Sequence, residues 1–228
     1  MMHPGARLRA VIFDLDGTLV DTADDFIPVV QQLREECGHP PMDAQRIRSS
    51  VSNGSRALVK LALNIPQEDS SFEAHRQRLL DLYAAILGSH AKLYPGVDTL
   101  LEQLASRDIA WGIATNKPRE YTTPLLEKLA LNPGSVVCPD DVTHAKPHPE
   151  SLHKVCKELV CETKDAVYLG DHLRDIEAGK RAGMYTIAAA YGYIEDGDSA
   201  SRWNADVIAA QSEELGGLLF PESELAHA

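Results

Sequence analysis

The chain has 228 residues, 44% of them hydrophobic, enough for one large domain or two modest ones around a real core. Acidic residues outnumber basic ones, 34 to 22, and the net charge of −12 argues against a polyanionic nucleic-acid partner. No run approaches the roughly 18 consecutive apolar residues of a membrane span, and Met1 to Arg9 contain no apolar signal core, so a cytoplasmic protein without a membrane partner is expected.

The first predicted element is a strand over Ala10-Val11-Ile12-Phe13, which runs directly into Asp14-Leu15-Asp16-Gly17-Thr18-Leu19. Asp21-Thr22 can cap a helix reaching to about Cys37, with Ile27, Val30 and Leu33 at near-helical spacing and Gly38-His39-Pro40-Pro41 as its stop. Ile47, Val51, Leu58 and Leu61, then Phe72, Leu79, Leu82 and Ile86, continue the helical pattern without strand alternation. Residues 22–92 therefore read as a helical module.

From Leu93-Tyr94-Pro95-Gly96 onward strands alternate with helices, as in a parallel sheet covered on both faces. Helices are expected over 97–106, after Pro118, from about Pro149 and over 173–182. Strands are expected at Ile109 to Ala114, Val136 to Cys138, Ala166 to Leu169, Met184 to Ala188 and Asp206 to Ile208, with a loose tail after Pro221. The chain thus starts a sheet domain (1–21), leaves it for the helical insertion (22–92) and returns to it (93–228). Cys37, Cys138, Cys156 and Cys161 have no C-x-x-C spacing and are expected to be free thiols.

In this arrangement the ends of the inner strands share one edge of the sheet, and each end bears a residue with chemistry. The first strand ends in Asp14 and Asp16, the next in Thr115 and Asn116, and a later one in Gly170, Asp171 and, a helical turn on, Asp175. Lys146 lies in the loop before the Pro149 helix. Clustered carboxylates at a buried strand end call for a cation, and hard oxygen ligands suit Mg²⁺ better than zinc or copper. Thr115 and Lys146 can hold a phosphoryl group by hydrogen bonding and charge. Singly, each residue reads as a cap, a turn or a solvated side chain. Together, at successive strand ends, they read as a site.

These residues resemble the haloacid dehalogenase superfamily of phosphohydrolases. D-x-D-G-T-L matches residues 14 to 19, the Thr after a strand matches Thr115, the Lys matches Lys146, and G-D-x-x-x-D matches Gly170, Asp171 and Asp175. The resemblance implies a Rossmann-like α/β core with a type C1 helical cap inserted between the first two motifs. It implies Asp14 as nucleophile and Asp16 as general acid and base. Mg²⁺ would be held by Asp14, the Asp16 backbone carbonyl and Asp171, with Asp175 in support. Thr115, Asn116 and Lys146 would hold the transferring group. The expected activity is hydrolysis of a small phosphomonoester through an aspartyl phosphate.

In the insertion, Asn53, Gly54 and Arg56 form a turn with a cation that can meet substrate, or simply join two helices with Arg56 in solvent. The phrases Tyr94-Pro95-Gly96-Val97, Thr115-Asn116-Lys117-Pro118, Lys146-Pro147-His148-Pro149 and Tyr191-Gly192-Tyr193 resemble phosphoglycolate phosphatases. Cys138-Pro139-Asp140-Asp141-Val142, Tyr191 to Ile194 and Trp203-Asn204-Ala205-Asp206 look closer to N-acetylmuramic acid 6-phosphate phosphatases. His172, after the motif Asp, departs from the small polar residue more usual there, and Lys117 has no assigned role. A phosphosugar mutase of the same superfamily and a phosphate-binding regulatory protein remain alternatives. A receiver domain is disfavoured because the acidic pair leads the chain and a helical module follows it.

Overall fold

The computed structural model describes residues 8–221. The tail expected after Pro221 lies outside the described residues, apart from Pro221 itself. Six strands form one parallel sheet: β1 (Ala10–Phe13), β4 (Ala110–Ala114), β5 (Ser135–Val137), β6 (Ala166–Gly170), β7 (Tyr185–Ala189) and β8 (Val207–Ala209), in the order β5-β4-β1-β6-β7-β8. β1 is central because its residues Ala10, Val11, Ile12 and Phe13 are apolar on both faces and fully buried. It pairs in parallel with β4 and β6, with Phe13 level with Ile113 and Leu169. The residues after β1, β4 and β6 therefore emerge side by side.

Alternation along β1 separates two apolar layers. Val11 and Phe13 pack with residues of α5 (Val97–Ser106), α6 (Arg119–Lys128) and α9 (Leu215–Leu219), whereas Ala10 and Ile12 pack with α7 (Glu150–Glu158) and α8 (Leu173–Arg181). Helices cover both faces of the sheet. The expected strands at 136–138, 184–188 and 206–208 each lie within a residue of the observed ones. Among the described residues no helix is long and apolar enough to cross a membrane.

Between β1 and β4 the chain forms α1 (Ala23–Glu36), α2 (Ala44–Arg48), α3 (Gly54–Leu63) and α4 (Phe72–Ile86). α1 packs on each of the other three. Phe26 of α1 stacks on Tyr83 of α4 with ring centroids 4.1 Å apart, and buried Asp25 accepts hydrogen bonds from the Gly88 and His90 amides, tying α1 to the end of the α4 segment. Sequence periodicity did not indicate the short antiparallel pair of β2 (Val20–Asp21) and β3 (Lys92–Leu93), where the chain leaves for these helices and where it returns. Two residues on each side are too few for an alternating pattern.

The start of α1 also differs from expectation. Thr22 occupies the N-cap position but its hydroxyl does not cap the helix. It donates instead to Asp16 at 2.6 Å, while Asp21 accepts from the Ala23 amide at 3.2 Å. The Tyr193 hydroxyl accepts from the Thr22 and Ala23 amides and donates to Asp21. A remote loop thereby satisfies the helix's first donors.

Candidate active site

Asp14 follows β1 directly, and its amide bonds the Leu169 carbonyl of β6, so the ladder carries it to the edge of the sheet. Gly17 then turns the chain at φ +80°, and a Cβ there would stand 2.0 Å from Asp171 Oδ2. Only glycine permits both the left-handed backbone and the approach of Asp171. Gly170 is constrained by space alone, since a Cβ would meet Asp175 Cβ at 2.2 Å.

Lys146, fully buried at its side chain, joins the motifs. Its Nζ lies 2.9 Å from Asp14 Oδ1, 2.7 Å from Asp175 Oδ1 and 2.9 Å from the Tyr168 hydroxyl. Burial opposes the Lys146 charge, but Asp14 and Asp175 outweigh it and hold its pKa up. Asn116, expected at the phosphoryl group, lines the cavity but commits its side-chain amide to the Lys146 backbone. Its Nδ2 donates to the Lys146 carbonyl at 3.0 Å and its Oδ1 accepts from the Lys146 amide at 3.1 Å. Its side chain thereby holds the Lys146 backbone.

Asp14, Asp171 and Asp175 are buried and offer oxygens that all lie within 4.8 Å of one another. Burial pushes the Asp14 pKa up, partly offset by Lys146. Burial, then the charges of Asp14 and Asp175, raise that of Asp171 well above the carboxylate range. Three carboxylates and the Lys146 ammonium sum to −2, which one divalent cation neutralises. Asp171 Oδ1 is buried without a hydrogen-bond partner, while Oδ2 accepts from the Tyr193 amide and the Ser52 hydroxyl. An all-oxygen set with an orphaned carboxylate oxygen fits a hard divalent ion. Asp175 has its oxygens engaged by Lys146, Tyr168 and the His172 amide, which suits a supporting place.

The Asp16 side chain stands apart from this cluster. Its Oδ1 accepts from Thr22 at 2.6 Å and from Lys117 Nζ at 3.0 Å, and its carboxylate is not one of the three whose oxygens converge. Lys117, unassigned from sequence, is 8% exposed and packs over the Tyr83 ring at 4.7 Å and the Phe26 ring at 5.3 Å. Burial disfavours its charge, but Asp16 prevails and its pKa is raised. Thr115 is buried, and its hydroxyl accepts from the Lys117 amide. His172 caps α8 by accepting from the Arg174 amide, and burial lowers its pKa to about 4, so the imidazole is neutral.

A cavity of about 310 Å³ opens over Asp14, Asp16 and Thr115. Its roof comes from the helical insertion: the Val51–Ser55 turn, Leu80 and the Tyr83 ring. Asn53 and Gly54 line it, as expected, but Arg56 does not. The Arg56 guanidinium is half exposed and pairs with Glu73 at 3.2 Å, because the first turn of α3 carries it outward. Besides Lys117, the cations that line the cavity are Arg76 of α4 and Arg174 of α8. Sequence reasoning missed both, since each sits in a charged stretch that reads as a solvated helix face. Arg174 also donates to the Ser52 carbonyl, and Asn53 to Glu195, so the turn is fastened to the sheet domain.

Comparison with known proteins adds an independent view. A family model described as haloacid dehalogenase-like hydrolase matches residues 11–189. An N-acetylmuramic acid 6-phosphate phosphatase of Pseudomonas aeruginosa is 42% identical, covering 92% of this chain and 93% of its own. A phosphoglycolate phosphatase of Xanthomonas campestris pv. campestris is 36% identical, covering 91% and 94%. Among solved structures, a predicted phosphoglycolate phosphatase from Haemophilus somnus superposes with a TM-score of 0.81 at 22% identity, covering 92% of this chain and 96% of that one. At that identity the likeness speaks for the fold alone.

Proposed function

The chain belongs to the haloacid dehalogenase-like hydrolases, and we propose that within that family it is a Mg²⁺-dependent phosphomonoesterase acting on a carboxylate-bearing phosphosugar, N-acetylmuramic acid 6-phosphate. The observation that carries this reading is the meeting of Asp14, Thr115 and Lys146 at one sheet edge beneath a cavity roofed by the helical insertion. Free thiols at all four cysteines support a reducing compartment, the cytoplasm.

Asp14 is the nucleophile. The Lys146 and Leu15 contacts fall on Oδ1, which leaves Oδ2 outside them for attack on phosphorus. The phosphorus–oxygen bond to the leaving alcohol breaks as the bond to Asp14 forms, and water later releases phosphate. Asp16 gives its proton to the leaving oxygen and takes one back from that water. Thr22 and Lys117 fix its carboxyl for both transfers. Thr115 and Lys146 meet the charge growing on the equatorial oxygens. Mg²⁺, held by Asp14, the Asp16 carbonyl and Asp171 with Asp175 behind, would supply further charge neutralisation at the phosphoryl group. Residues 22–92 act as the cap that limits water.

Two features support the sugar substrate. A cavity of about 310 Å³ falls within the range of pockets that enclose drug-sized ligands, more room than a two-carbon acid needs. Arg76 stands in its wall, paired with Glu73 through Nη1 and donating to Ser55 from Nε at 3.1 Å, with Nη2 outside those contacts and suited to a second anionic group. Phosphoglycolate, the substrate in the name of the 36% identical relative, also bears a carboxylate and is the competing reading. Phosphate release with Mg²⁺ should give the highest kcat/KM for N-acetylmuramic acid 6-phosphate, followed by phosphoglycolate and carboxylate-free hexose phosphates. A preference for phosphoglycolate would overturn the sugar assignment. Absence of release from every phosphomonoester would overturn the phosphatase reading.

A further inference from the structure

We propose that His144, His148 and Glu150 form a second metal site, taking a borderline divalent transition ion of the Zn²⁺ class and distinct from the carboxylate centre. The three residues bracket Lys146 in the chain, His144 before it and His148 and Glu150 after it. Lys146 turns inward to Asp14, while both imidazoles are more than half exposed on the outer side of the same loop. Ligand atoms of all three lie within 4.8 Å of one another.

Glu150 anchors the arrangement. Its Oε1 accepts from the Thr143 amide at 2.8 Å and its Oε2 from the His144 amide at 3.0 Å, so the carboxylate is held at the first turn of α7. Oε2 lies 3.1 Å from His144 Nδ1 and 3.8 Å from His148 Nδ1, and the two rings stand 4.6 Å apart. Metal–nitrogen and metal–oxygen bonds of about 2.0–2.2 Å at tetrahedral angles separate ligand atoms by about 3.4 Å. The two observed separations fall on either side of that figure. Shifts of a few tenths of an ångström would bring both of these separations to it, the two imidazole ligand atoms already lie within 4.8 Å of each other, and water would take the fourth place.

His148 Nδ1 accepts from the Glu150 amide at 3.3 Å, a long bond that coordination would replace. Two imidazoles and one carboxylate suit Zn²⁺, Cu²⁺ or Ni²⁺, whereas Mg²⁺ prefers the all-oxygen set within the fold. An ion there would cross-link the two ends of the Lys146 loop. That loop is also held by the Lys146 side chain, by the Asn116 amide, by Arg181 donating to the Pro147 carbonyl and by Glu150 accepting from the Thr143 and His144 amides.

The test is equilibrium dialysis of the whole protein against Zn²⁺, with Mg²⁺ in large excess to keep the carboxylate centre filled, followed by metal analysis. Wild type should retain one Zn²⁺ per chain more than H144A/H148A, and Glu150→Gln should weaken retention about tenfold. Zn²⁺ should also raise the unfolding temperature of wild type and leave that of H144A/H148A unmoved. None of the three residues lines the cavity, so Mg²⁺-supported turnover of H144A/H148A should match wild type. Equal Zn²⁺ retention by wild type and H144A/H148A, including none in either, would overturn the proposal.

Discussion

Replacing Asp171 by Asn should make the metal-free protein more stable while abolishing its response to Mg²⁺. Asn has nearly the same shape, and its carbonyl oxygen can still accept from the Tyr193 amide and the Ser52 hydroxyl, as Oδ2 does now. Its amide nitrogen would take the place of Oδ1, which has no partner. The change removes one of three buried negative charges. At 4.8 Å and an effective dielectric constant of about 20, each like-charge contact is worth about 3.5 kcal/mol. Lys146 attraction and protonation of Asp171 itself reduce the net gain to about 1–2 kcal/mol, equivalent to about 2–8 °C for a chain of this size.

The pH dependence carries the same signature. The folded pKa of Asp171 is raised well above the usual carboxylate range, so its stabilising share is complete below the unfolded value and is lost as pH rises through the folded pKa. Without metal, wild type should lose that share as pH rises through the raised folded pKa, and D171N should not. A saturating ion at one hundred times its dissociation constant contributes about 2.7 kcal/mol, so Mg²⁺ should reverse the ranking of the two proteins. Thermal unfolding followed by fluorescence, with chelator and with Mg²⁺, reads all three effects. A metal-free D171N less stable than wild type, together with an equal Mg²⁺ shift in both, would refute the charge argument.

The other expectations concern substrate and proton transfer. Arg76→Ala should raise KM about tenfold for carboxylate-bearing substrates, and much less for a neutral aryl phosphate, whereas Arg56→Ala should leave both unchanged; steady-state kinetics on the two substrate classes decides. Lys117→Met should lower kcat about 10–100-fold with KM little changed, since Lys117 reaches Asp16; equal losses for good and poor leaving groups would count against proton positioning. Burial raises the Asp14 pKa and attack requires the carboxylate, so kcat/KM at limiting Mg²⁺ should fall with decreasing pH from above the usual carboxylate range. Saturating Mg²⁺ should move that limb to lower pH, and an unmoved limb would contradict it.

The sheet was legible because buried parallel strands are short apolar runs, and Ala10–Phe13, Ala110–Ala114 and Ala166–Gly170 have no competing helical pattern. Asp14, Thr115 and Asp171 were legible because they follow those runs directly. What escaped was set by three-dimensional neighbours. Arg76 and Arg174 differ from solvated helix charges in lining the cavity and in their bonds to the Val51–Ser55 turn, and Lys117 gains meaning only when it reaches Asp16 across the Tyr83 ring of α4. Tyr193 is apolar in pattern, yet its amide holds Asp171 and its hydroxyl holds the start of α1. Arg56 shows the reverse: a cation in a suggestive turn, one helical step from the cavity and directed away from it.

The covalent role of Asp14 is tested most directly by acid-quenching the enzyme during turnover of labelled N-acetylmuramic acid 6-phosphate and mapping the phosphorylated peptide. An acid-stable, base-labile phosphoryl group should appear on Asp14 in the Ala10–Thr18 segment and be absent from Asp14→Asn, which should also release no phosphate. Continued phosphate release by Asp14→Asn, or label mapped to another residue in wild type, would contradict it.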